Sequence, residues 1–212
     1  MLATYRTIQS DSIHETEIKK SRFICHLKRI TSEAEAKEFI NQIKKEHWKA
    51  NHNCSAFVLG EQNEIQRSSD DGEPSGTAGV PMLEVLKKNT LINVCAVVTR
   101  YFGGTKLGAG GLIRAYSGAV ANSIAETGIV EGRLQQEISV TIPYNHWGKL
   151  EKFLETQKIV VKDTLFTHEV TAICFVDEDQ VANFEAQVTD LLSGQATFVA
   201  GETSYSEQLI EE

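Results

Sequence analysis

Five of the nine residues from 103 to 111 are glycine, and eight of the chain's fifteen glycines lie between positions 72 and 111. Glycine carries the largest conformational cost of any residue on folding. A loop this rich in it implies backbone that takes positive φ or approaches another group closely. The flanks indicate what the loop joins. Residues 93–99 read as a buried strand, and residues 112–127 read as a helix with Ile113, Tyr116, Val120 and Ile124 on its inward face. A glycine turn from a strand into a helix start leaves free N–H groups, which with the helix dipole favour an anion. Arg100, Lys106 and Arg114 bring up to three positive charges to the same place. Arg100, Gly103, Gly104, Lys106, Gly108, Gly110, Gly111 and Arg114 therefore form a candidate site for a phosphate, of a nucleotide or of a nucleic-acid backbone. Neither GxxxxGK[ST] nor a GxGxxG after a first strand is present. The competing reading is a compact turn packing helix to sheet, with Arg100 and Arg114 held by Asp70, Asp71 or Glu73.

The other glycine-rich loop, residues 70–81, reads DDGEPSGTAGVP. Asp70, Asp71, Glu73, Thr77 and the nearby His52 form a possible supporting site. Asp-Asp-Gly-Glu is ordinary turn chemistry, its side chains satisfying backbone N–H groups. A carboxylate site for Mg²⁺ beside substrate phosphates is the alternative. His52 and Cys54 share a strand face, a conceivable base and nucleophile without a visible third group to orient them. The remaining histidines are scattered and form no ligand spacing. No CxxC or CxH pair is present, so the four cysteines read as reduced thiols. No catalytic set, metal site or cofactor motif is assigned.

The chain has 212 residues, 41% of them apolar and 24% charged, the balance of an ordinary globular protein. Its charge is uneven. Residues 1–136 carry 17 Lys+Arg against 15 Asp+Glu, and residues 137–212 carry 4 against 14, so the overall net charge of −8 belongs to the second half. Such asymmetry suggests two domains, here 1–134 and 137–212. In the first, residues 22–27 read as a strand and Ser32-x-x-Glu35 as a capping box. Residues 54–59 and 64–67 read as paired strands, and Pro81 opens a short helix. The second reads as βαββαβ, the ferredoxin-like order. Its strands are 137–142, 159–161, 170–176 and 196–200, with one helix capped by Asn145 and another starting at Asp177 or Asp179. The fold class expected is α+β in two domains. No apolar run approaches the length needed to cross a bilayer, and the N-terminus has no secretory pattern, so a cytoplasmic location is expected.

The segments His52-Asn53-Cys54, residues 70–79, residues 97–104 and residues 107–116 resemble the IMPACT family, whose bacterial members are the YigZ-like proteins. The likeness extends over essentially the whole chain. It implies an N-terminal domain similar to the second domain of a small-subunit ribosomal protein, a fold shared with the GHMP kinases, and a C-terminal domain like the ferredoxin-like domains of elongation factor G. Eukaryotic members are translational regulators that carry an extra N-terminal domain for which this chain has no room, so their partner is not carried over. The leading expectation is a non-enzymatic, translation-associated protein whose glycine-rich basic loops bind RNA, the ribosome or a translation-related protein, with no membrane partner. The other is an enzyme acting on a phosphorylated small molecule or nucleotide.

Overall fold

The structure, a computed structural model, describes residues 1–210. Strands β1 (Thr4–Ile8), β2 (Ser12–Ile18) and β3 (Ser21–Arg29) lead into helix α1 (Glu33–Glu46). Then come β4 (His52–Leu59), β5 (Ile65–Ser69), α2 (Gly79–Lys88), β6 (Val94–Tyr101) and α3 (Ala109–Thr127). The remainder is β7 (Ile129–Ile142), α4 (Trp147–Thr156), β8 (Val160–Phe166), β9 (Val170–Asp177), α5 (Val181–Leu191) and β10 (Thr197–Leu209). The chain forms two compact units that divide within β7, between Glu131 and Gly132. The first unit takes 5–131 together with Met1 and 208–210; the second takes 2–4 and 132–207. The fold is α+β with two sheets.

The first unit is built on an antiparallel sheet in the order β2-β3-β6-β4-β5. Both of its faces are covered. Cys54, Ala56 and Val58 of β4, with Val94, Ala96 and Val98 of β6, pack with Met82 and Leu86 of α2 and Tyr116, Ala119 and Val120 of α3. The alternate residues Phe57, Leu59, Cys95 and Val97 pack with Ala36 and Ile43 of α1. Two-sided burial is why β6 is continuously apolar instead of alternating, since each inward side chain contributes about 1.5–3 kcal/mol whichever face it meets. Ser32 Oγ accepts from Glu35 N at 3.2 Å, as the capping box requires. The Glu35 carboxylate reaches back one residue further than expected, to the N–H and hydroxyl of Thr31 at 2.8 and 3.0 Å. In the first turn of α3, Leu112 takes the inward place and Ile113 is 41% exposed, correcting its expected burial. The inward line runs through Leu112, Ala115 and Ala119, and Ile113 stands about 100° around the axis from Leu112.

The second unit has the expected βαββαβ order. In its sheet β7 pairs with β9 and β9 with β8, while β10 lies on the other side of β7. Ile138, Val140 and Ile142 of β7 and Val170, Ala172 and Cys174 of β9 face Leu150 and Leu154 of α4 and Phe184 and Val188 of α5. Asn145 does not cap α4, which follows a 3₁₀ turn, and α5 starts at Val181, just past Asp177 and Asp179, after a second 3₁₀ turn at Glu178–Gln180; no side chain bonds either helix start. Strands β7 and β10 are far longer than the apolar alternation that announced them. Strands β1 and β2 had no such signal, because β2 is a sheet edge with a half-polar sequence, SIHETEI.

Candidate functional site

Strands β4 and β6 pair with His52 directly opposite Arg100. This register brings the 70–78 loop, which follows β5, against the 102–108 loop, which follows β6. The carboxylates of the first loop are engaged inside the protein. Asp70 accepts from the backbone N–H groups of Gly76, Ala78 and Gly79 at 2.8, 3.0 and 2.8 Å. Burial acts to raise its pKa, but those three amides outweigh burial and hold the carboxyl below its ordinary range. Asp71 accepts from Asn53 N at 2.7 Å and pairs with Lys44 at 2.6 Å. Thr77 donates its hydroxyl to Pro74 O at 2.6 Å, closing the turn.

Glu73 is the centre of the cluster. Its side chain, 3% exposed, lies 2.6 Å from Arg100 Nη1 and accepts from the Tyr116 hydroxyl at 2.7 Å. His52 Nε2 stands 3.8 Å from its other carboxylate oxygen. The Nδ1 of His52 faces the Asp71 carbonyl at 2.9 Å. A carbonyl only accepts, so Nδ1 carries the proton and Nε2 is turned toward Glu73. Cys54 donates its thiol to Asp70 O at 3.0 Å. Burial pushes that thiol up to about 12, so it is no thiolate nucleophile for His52. Among the described residues no group of three or more His, Cys, Asp or Glu is placed to hold a metal, and the carboxylates weighed for Mg²⁺ are committed to amides, Lys44 and Arg100.

The glycines of the second loop serve different needs. A Cβ on Gly103 would sit 2.0 Å from the carbonyl carbon and oxygen of Lys20, so only glycine fits there. Gly108, at φ 72°, precedes α3 and offers no side chain to cap it. Gly104 turns at φ 89°, and Gly110 and Gly111 lie in the first turn of α3. A cleft of about 400 Å³ opens here, lined by Lys106, Gly108 and Ala109 together with His52, Glu73, Arg100 and Phe102.

The three cations expected at one anion site are not together. Arg100, 6% exposed, is neutralised by Glu73, as the competing reading allowed. Arg114 is exposed on α3 and does not line the cleft. Lys106 lines it and has no carboxylate partner among the described residues. Tyr116, Asn53 and Phe102 were not in the candidate set. For Tyr116 the signal was present: it is the one hydroxylated aromatic on a buried helix face, and such a group needs a partner.

Residues 19–124 match the Impact N-terminal domain, and residues 140–195 match a domain of unknown function, DUF1949. The chain is 48% identical to "IMPACT family member YvyE" of Bacillus subtilis over 99% of its own length and 97% of that protein's. The chain belongs to the IMPACT family. The IMPACT family member YigZ of Escherichia coli is 34% identical over 87% of this chain and 91% of its own. A protein named "Protein IMPACT homolog" in Dictyostelium discoideum is 41% identical, over 42% of this chain and 27% of its own. A solved crystal structure titled as that of an hypothetical protein is 31% identical, with a TM-score of 0.60, over 95% of this chain and 99% of that one. The IMPACT signature segments coincide with β4, the two glycine loops and the start of α3, the parts that wall the cleft.

Proposed function

We propose that this protein is a translation-associated regulatory binding protein of the IMPACT family whose first unit holds an anionic partner, RNA phosphate, at the start of α3. The observation that carries the reading is the uncapped helix start opening on the cleft beside an unpaired Lys106. A helix N-terminus concentrates partial positive charge on N–H groups that lack intrahelical acceptors, and a neighbouring ammonium adds to it. The Arg100–Glu73 pair is self-neutralising, so it scaffolds the cleft wall and leaves the net potential positive. The excess of acid elsewhere in the chain repels a polyanion and confines its binding to this place.

The test is fluorescence anisotropy with a short single-stranded RNA on the intact protein. Lys106→Ala weakens binding by about five- to ten-fold, as expected for loss of a phosphate contact. Arg114→Ala removes the same charge outside the cleft and leaves affinity within about two-fold, the range expected of a screened distant charge. RNA that does not bind, or that responds equally to both substitutions, overturns the reading.

A further inference from the structure

The free side of β8 carries apolar surface that its own unit does not cover. The strand closes one end of its sheet, with β9 on one side and no strand paired on the other among the described residues. Edge strands are commonly protected by charges along their exposed positions. This one reads VVKDTLF, and Val160, Val161, Leu165 and Phe166 are between 38% and 58% exposed. Its two charges, Lys162 and Asp163, lie together at the centre, where a bulge interrupts the pairing with β9. Asp163 has no ion-pair partner among the described residues, and its Oδ1 accepts from Thr164 N at 2.8 Å.

The bulge decides which side chains share a face. Val161 and Thr164 stand opposite Cys174 and Ala172, which belong to the core under α4 and α5, so both point to the helix side. Val160, Asp163 and Leu165 stand opposite Phe175, Ile173 and Thr171 on the open side. Lys162 is there as well, its Nζ 2.6 Å from Glu137 Oε2 and 5.7 Å from the centroid of the Phe175 ring. Two adjacent residues thus lie on one face, which the alternation of a regular strand forbids and a bulge allows.

This arrangement is self-complementary. Two antiparallel copies of one strand, related by a twofold axis perpendicular to the sheet, set facing residues on the same side of that sheet. In a regular strand such partners are an even number of positions apart. With the axis between Lys162 and Asp163 the separations are odd, and the bulge is what makes them compatible. Val160 then meets Leu165 on the open side, Val161 meets Thr164 on the helix side, and Lys162 meets Asp163, each pair occurring twice by symmetry. Every pair is apolar, β-branched or oppositely charged, the kinds that stabilise neighbouring strands. We infer that β8 pairs with β8 of a second copy of this chain, joining the two sheets edge to edge. The inference concerns the second unit and stands apart from the RNA-binding reading.

Sedimentation velocity on the intact chain tests it, across roughly 5–500 µM because a contact of one strand falls at the weak end of interface sizes. A monomer–dimer equilibrium is expected. Lys162→Asp and Asp163→Lys each set like charges opposite one another at both symmetric pairs and weaken self-association by about ten-fold or more. Both positions are exposed, and circular dichroism verifies that the variants fold. Mixed in equal amounts, the two variants form a heterodimer about as tightly as the original chain self-associates, since an Asp-Asp strand then faces a Lys-Lys strand. Hydrogen exchange of the original chain gives a second readout, with protection of the β8 amides rising as concentration rises. A chain that stays monomeric over the whole range overturns the inference. So does a dimer that neither substitution weakens, or a pair of variants that fail to associate when mixed. Protection of β8 only on addition of a different protein also overturns it and gives the edge to a foreign strand.

Discussion

Glu73 and Arg100 form a buried pair whose worth lies in what its loss exposes. Removing one partner of such a pair strands a charge in a low-dielectric interior, while replacing both is far milder. Glu73→Gln is expected to lower stability by about 3–5 kcal/mol, and adding Arg100→Met to recover most of it. Urea unfolding of the two single variants and the double variant checks this; a double variant as unstable as the sum of the singles contradicts it. Gly103 is constrained by space. Its nearest neighbour is the Lys20 backbone, which cannot rotate away as a side chain can. Gly103→Ala is expected to cost roughly 1–3 kcal/mol through the forced shift of the loop, read as a lowered midpoint in thermal unfolding.

At the level of elements, local pattern and tertiary context divide the credit. The α1 start was legible because a cap is a short-range device: Ser32 and Glu35 are three residues apart and bond as their types require. Ser32→Ala is expected to cost about 0.5–2 kcal/mol in a denaturant titration. The α3 pattern was legible too, although the inward choice between Leu112 and Ile113 depended on how the first turn meets the sheet. Strand β2 was not legible. Its partners are on β3, and its inward positions Ser12, His14 and Thr16 are polar while Ile13 faces outward, so its alternating burial leaves no apolar alternation in the sequence. The cap assigned to Asn145 failed, and the second helix starts a few residues past Asp177 and Asp179, because 3₁₀ turns precede both helices.

For the whole molecule, the response to pH and to salt follows from where charges ended up. His26 is 3% exposed and its Nε2 has no partner. Burial pushes its pKa down to about 4, with the nearby His47 adding to the shift and Glu46 opposing it. A group whose folded pKa is depressed binds its proton in the unfolded chain first. Its contribution is therefore complete above about pH 6.5 and is lost as pH falls toward 4. Roughly 2–4 kcal/mol of stability is expected to disappear over that window. His26→Gln flattens the upper part, above the range where carboxylates titrate, and urea midpoints measured across the window show it. The RNA binding proposed above, through one unpaired lysine, is expected to show a shallow salt dependence, with a log–log slope of roughly −1, where several phosphate contacts would give a steep one. The sequence by itself determined the family, the α+β class, the ferredoxin-like order and the location of the unusual chemistry, because caps, apolar periods and glycine loops act over a few residues. Only the tertiary structure decided which charges stay available. Arg100 meets Glu73 across 27 positions and Tyr116 meets it across 43. Pairings that distant are set by strand register and helix packing, which no local pattern encodes.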